Sequence, residues 1–205
     1  MPDPDLTFYD CRRENETPVR KESVDLCSRW LRSQNIEFKN ILANADGTLR
    51  LNLSGTRISD LSPLTILPLT HLCLAGCWRV KDFTPLGRMR LVWLNLKRTG
   101  ITDLSPLRNL PLIHLSVYWT KVATLSPVAR LPLRRLDIRF TQLTPLLSLQ
   151  RMPLEELRFF PSRIKRGMDS LRSIGTLKRI NRWTAREFWE RRNDRPRIYR
   201  RRPKP

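Results

Sequence analysis

Two histidines (His71, His114) and two cysteines (Cys73, Cys77) are the imidazole and thiol side chains between positions 49 and 180, the first candidates for metal binding or nucleophilic chemistry. Their spacing argues against both chemistries. Cys73-x-x-x-Cys77 is one residue too long for a redox C-x-x-C pair, and no second pair completes a zinc set. His71 and His114 fall at equivalent places on two strands separated by a third. Their backbones should stand ~10 Å apart, a poor chelate, and both read as surface histidines. His114, Ser116 and Asp137 face one side on adjacent strands, but no elbow turn or oxyanion donor accompanies them. With only 7 glycines and no G-x-x-x-x-G-K-[ST], a phosphate loop is excluded. No enzyme, cofactor or resident metal is expected.

Recognition chemistry, in contrast, is abundant. Trp93, Lys97, Arg98, His114, Tyr118, Trp119, Arg135, Arg139, Phe140, Arg158 and Phe160 all fall at outward positions of short strands or just after them. Aromatic and Arg side chains dominate binding hot spots, and solvent-facing strand positions do not need them for folding. These eleven are the candidate binding residues; packing against one another or against a terminal cap is the competing explanation.

The elements that place them come from a repeat. Leu51-Asn-Leu53, Leu72-Cys-Leu74, Leu94-Asn-Leu96, Leu115-Ser-Val117, Leu136-Asp-Ile138 and Leu157-Arg-Phe159 are spaced by 21, 22, 21, 21 and 21 residues. Each pair is followed by an apolar residue: Ile58, Val80, Ile101, Val122, Leu143 and Ile164. A turn segment then recurs as DLSPL at 60–64, DFTPL at 82–86, DLSPL at 103–107 and TLSPV at 124–128, decaying to LTPLL at 143–147. An L-x-L pair is a short strand with two side chains inward and one outward. Ser62, Thr84, Ser105, Ser126 and Thr144 are expected to cap a helical turn, each with Pro at its first position. A second Pro closes most turns and forces the residue before it to extend. One unit cannot bury its apolar edge; a stack of six can.

The pattern resembles the leucine-rich repeat family, in the short form found in bacterial proteins with recurring DLSPL units, over about residues 48–190. The resemblance implies an α/β solenoid: a curved right-handed coil with a parallel β-sheet on its concave face and short helical or 3-10 turns on the convex face. Family consensus places Asn five residues after the first strand Leu; here those positions hold Thr56, Cys77, Thr99, Thr120, Thr141 and Ser162. A hydroxyl makes one such bond, and Cys77 is expected as the weakest rung.

Four segments are expected. Residues 1–47 form an N-terminal extension and a helical cap, with the apolar spacing Val24, Leu26, Cys27, Trp30, Leu31 marking an amphipathic helix. Residues 48–180 hold about six repeats. In 181–190, Thr184-Ala-Arg-Glu187 matches a capping box opening a helix with Phe188 and Trp189. The LRSIGTLKRIN and EFW ending also resembles the C-terminal closure of the same bacterial proteins. Residues 191–205 read as a basic disordered tail.

The net charge is +20, with 39 Lys and Arg against 19 Asp and Glu in 205 residues. Residues 49–180 alone carry 22 basic and 7 acidic side chains. The family implies recognition rather than catalysis, and the charge implies an acidic protein or peptide. RNA or another nucleic acid is the alternative, since cations with stacking rings satisfy its electrostatics, although no nucleic-acid motif occurs. No run of 18 apolar residues occurs and the acidic start MPDPDLTFYD is no secretory signal, so a cytoplasmic protein with reduced thiols is expected.

Overall fold

A computed structural model describes residues 18–143, 147–161 and 168–193. Helix α1 (Pro18–Ser33) leads into β1 (Asn40–Ala43) and β2 (Leu49–Asn52), which pair antiparallel around a tight turn. Then follow β3 (Leu69–Cys73), β4 (Trp93–Asn95), β5 (His114–Ser116), β6 (Arg135–Asp137), β7 (Glu156–Arg158) and β8 (Arg179–Ile180). From β2 to β8 every neighbour is parallel, one strand per coil. A reversed β9 (Trp183–Thr184) closes the far edge and runs into α2 (Ala185–Asn193). The strand order in the sheet is the order in the chain.

The register is that of the repeat: Leu51, Leu72, Leu94, Leu115, Leu136, Leu157 and Ile180 stand side by side. All seven are essentially buried, and one continuous core runs from Leu31 in α1 to Phe188 in α2. Opposite the sheet lie 3-10 turns, among them Ser62–Ile66, Thr84–Arg88, Ser105–Leu107 and Ser126–Val128.

The caps of these turns differ from expectation. Ser62, Thr84, Ser105 and Ser126 are the first residues inside the turn and make no cap bond. The acceptor comes from two residues earlier: the N–H groups of Ser62, Thr84 and Ser105 donate to Oδ1 of Asp60, Asp82 and Asp103 at 2.8–2.9 Å, and that of Ser126 donates to Thr124 Oγ1. A 3-10 turn of three to five residues is too short to spare its first residue as a cap, so an Asx turn ahead of it takes the N–H. Asp82 and Asp103 are held below the usual carboxylate range, chiefly by the backbone N–H of Thr84 and Ser105. Thr144 lies outside the described residues, as do Cys11, Ser162, Ile164 and residues 194–205 of the tail.

The rungs work within each coil. Thr56, Thr99, Thr120 and Thr141 are buried and donate to the carbonyls of Leu53, Leu96, Val117 and Ile138 at 2.7–2.8 Å. Cys77 is fully buried and its thiol instead reaches back one coil to the Leu53 carbonyl. At the C-terminal end, Thr184 and Glu187 satisfy each other's backbone N–H groups as a capping box. Helix α2 extends three residues past 190.

Candidate functional site

Alternation along each strand sends positions 93, 95 and 97, and their equivalents on neighbouring strands, to the face of the sheet away from the core. The first outward column runs Arg50, His71, Trp93, His114, Arg135, Glu156, Arg179. In it His71 stacks on Trp93 (centroids 6.3 Å, interplanar 16°) and Trp93 on His114 (5.0 Å, 24°). The expectation of two surface histidines is corrected here: His71 is half-buried and His114 is 7% exposed. A ladder spacing near 4.8 Å suits stacked flat rings, and the Trp93 indole between the imidazoles removes water from both. Burial, and then Arg50, lowers His71 to about 4; burial, and then Arg135 and Arg158, lowers His114 to about 3. Both rings are neutral near pH 7, and His114 supports the face from beneath rather than lining it. Arg135 is exposed, Arg158 half-buried, and Glu156 is paired with Arg179.

The second column finishes the strands. The carboxamides of Asn52 and Asn95 and the carboxylate of Asp137 accept the N–H two residues on, from Ser54, Lys97 and Arg139. That is a turn-forming role for the side chains of this column. Among the described residues no group of three or more His, Cys, Asp or Glu is arranged to hold a metal ion.

The third and fourth columns hold the cluster. The Tyr118 ring lies between Lys97 Nζ and Arg139 Cζ, each 4.9 Å from its centroid. Arg139 is fixed by Asp137 (Nε–Oδ1 3.0 Å, Nη2–Oδ2 2.6 Å), so its guanidinium already holds a carboxylate of its own chain. Beside them Arg98 lies 5.6 Å over Trp119, Trp119 lies 4.9 Å from Phe140, and Phe140 lies 4.4 Å from Phe160. Tyr118 meets Phe140 edge-on at 5.4 Å. Four rings thus form one continuous platform over the ends of β5, β6 and β7, and Trp119 is 53% exposed.

The backbone beneath this platform carries a feature that residue types did not reveal. After each of β2 to β6 one residue turns left-handed, and in the first two coils it is Gly55 (φ 71°) and Gly76 (φ 75°). In the next three it is Arg98 (φ 53°), Trp119 (φ 55°) and Phe140 (φ 56°). A side chain with a Cβ costs about 1–2 kcal/mol in that conformation. Aligning the units, with Gly at this place in two of them, would have flagged the other three.

Lys97, Arg98, Tyr118, Trp119, Arg139, Phe140 and Phe160 therefore meet in one surface of rings and cations; Trp93 and His114 form the stack beside it, Arg135 follows His114 in the first column, and Arg158 follows Asp137 in the second. No family model matches the sequence, and no curated protein matches it. Among solved structures, the chain is similar to internalin C2 of Listeria monocytogenes at 30% identity over 62% of this chain and 58% of that one, with a TM-score of 0.57. Internalin F of the same organism matches at 20% identity over 62% and 52% of the two chains, with a TM-score of 0.47. The chain thus spans less than two thirds of the length of either.

Proposed function

Because this chain is a leucine-rich repeat protein, we propose that it is a non-catalytic binding module that takes an acidic protein or peptide on the platform of Tyr118, Trp119, Phe140 and Phe160 and its cations. The supporting observation is the left-handed column. Glycine would satisfy the backbone at all five positions, as it does at Gly55 and Gly76, yet coils three to five carry Arg98, Trp119 and Phe140 there. Side chains kept at a cost to the fold mark a function outside it.

The charge favours an acidic partner. Of the seven acidic residues between 49 and 180, Asp60, Asp82 and Asp103 accept turn N–H groups. Asp137, Glu155 and Glu156 are ion-paired. Between residues 49 and 180 the basic side chains outnumber the acidic ones by 22 to 7, so a partner's acids gain the field. Arg98 and Arg135 are the exposed cations for that pairing, while Arg139 orients Tyr118. No helix among the described residues is long and apolar enough to cross a membrane. The three described cysteines form no disulfide, in keeping with a cytoplasmic working place.

The test is a variant that gives coils three to five the backbone residue of coils one and two: Arg98→Gly, Trp119→Gly and Phe140→Gly together. Glycine suits the left-handed turn, so the variant stays folded. In nuclease-treated extract at ~0.3 M salt, where exposed charges are largely screened, the native chain should retain an acidic protein that the variant loses. Retention by both, or retention of nucleic acid alone in untreated extract, would sink the proposal.

A further inference from the structure

One unit breaks the 21-residue rhythm. Between the buried rung and the next core residue, the other described coils place a single residue: Arg57, Gly100, Lys121 or Gln142. The second coil places two, Trp78 and Arg79, between Cys77 and Val80, both fully buried. The extra residue leaves the core untouched: the backbone kinks, with Trp78 N–H on the Gly76 carbonyl at 2.9 Å, and the indole is 61% exposed. A large apolar side chain with this exposure does nothing for the packing of its own coil. Its ring is oriented by Arg79, whose Cζ lies 5.1 Å from the centroid.

This is the device of Arg98 over Trp119 a second time, on the same rim where the strands leave the sheet. Trp78 belongs to the second coil and Trp119 to the fourth, so their coils stand ~10 Å apart along the stack. The rim between and around them shows the exposed cations Arg57, Arg79, Lys81, Arg98 and Lys121. The nearest acids along the chain, Asp60, Asp82 and Asp103, are engaged in turn caps.

We propose that Trp78, with Arg79 over its ring, is a second anchor of the binding surface, and that the occupant is an extended acidic segment of a partner protein running across the strands along this rim. An extended chain advances ~3.3 Å per residue, so its two apolar anchors lie about three residues apart, with acidic residues between and beside them. This rests on the platform being the binding surface, and it adds a footprint two coils closer to the N-terminus.

The experiment selects phage-displayed random dodecapeptides on the full chain at ~0.3 M NaCl and measures the enriched peptides, synthesised with a fluorescent label, by anisotropy. Three variants are compared with the native chain: Trp78→Ala, deletion of Trp78 (which restores a 21-residue coil), and the triple glycine variant. Thermal melts confirm folding, which an exposed residue should not alter. The expected result is acidic peptides with two apolar positions, bound at least tenfold more weakly by all three variants. Peptides weakened by the triple glycine variant but within twofold of native on both Trp78 variants would overturn this inference and leave the platform standing. Peptides indifferent to all three, or binding of a labelled 15-nucleotide single-stranded RNA with no peptide enriched, would overturn both.

Discussion

The first two coils and the three that follow are built alike on the inside and differently on the outside. Leu74 and Leu96 occupy the same buried place in the second and third coils; Asp82 and Asp103 cap the same turn; Thr56 and Thr99 make the same rung. Yet the left-handed position passes from Gly55 and Gly76 to Arg98, Trp119 and Phe140, and the outward position beyond the strand passes from Ser54 and Ala75 to Lys97, Tyr118 and Arg139. The early coils show what the solenoid needs. What the later ones add is therefore surplus to folding, and surplus that strains the backbone is the mark of selection for contact.

The sharpest test of that likeness is in the core. Leu74→Ala and Leu96→Ala should each lose about 2–5 kcal/mol of stability, read from urea unfolding. Losses differing by more than about 2 kcal/mol would show that the two regions are not built alike inside.

Acid should act where the regions meet. His71 and His114 are held neutral in the fold down to about pH 4 and 3, whereas unfolding frees them to take protons near the ordinary value of 6.5. Their contribution is complete above pH 6.5 and is lost as pH falls from there towards 3, because the unfolded chain then binds more protons. Urea midpoints should fall between pH 7 and 4.5, and His114→Gln should flatten that fall. An unchanged slope would mean that the ring stack opens to water.

Backbone strain gives a smaller effect of opposite sign in the two regions. Gly55→Ala should cost about 1–2 kcal/mol, since open space around its Cβ leaves only the left-handed conformation to resist. Arg98→Gly should cost nothing and gain up to ~1 kcal/mol. A loss at Arg98 would mean that its side chain serves the fold after all. Smallest is the rung: Thr120→Val should cost about 1 kcal/mol, by removing the bond to the Val117 carbonyl.

Much of this architecture was legible in the chain. Leu spacing of 21 residues set the register of Leu51 through Leu157, because an inward position repeats only if every coil stacks on the last. The outward columns followed from alternation alone. What escaped were features in which two residues compete for one task. Asp60 and Ser62 both offer an oxygen to a turn N–H, and only the brevity of the turn decides for Asp60. His71 and His114 look like surface residues until Trp93 is placed between them. The sign of φ at Arg98, Trp119 and Phe140 is invisible in their types, since nothing about those side chains prefers it. Trp78 was visible as the single 22-residue interval, but an extra residue says nothing of its exposure until the core on either side is seen to close without it.

The reversal of direction at β1 and β9 has a further consequence. A stack of parallel strands offers at each end an unpaired ladder that a second molecule in the same register could prolong, coil upon coil, into a fibre. Turning one short strand back at each margin, beneath α1 at one end and leading into α2 at the other, replaces that invitation with a mismatched border. Among the described residues the sheet thereby spans nine strands, roughly 40 Å across, and whatever lies along it is measured against a ruler of constant length.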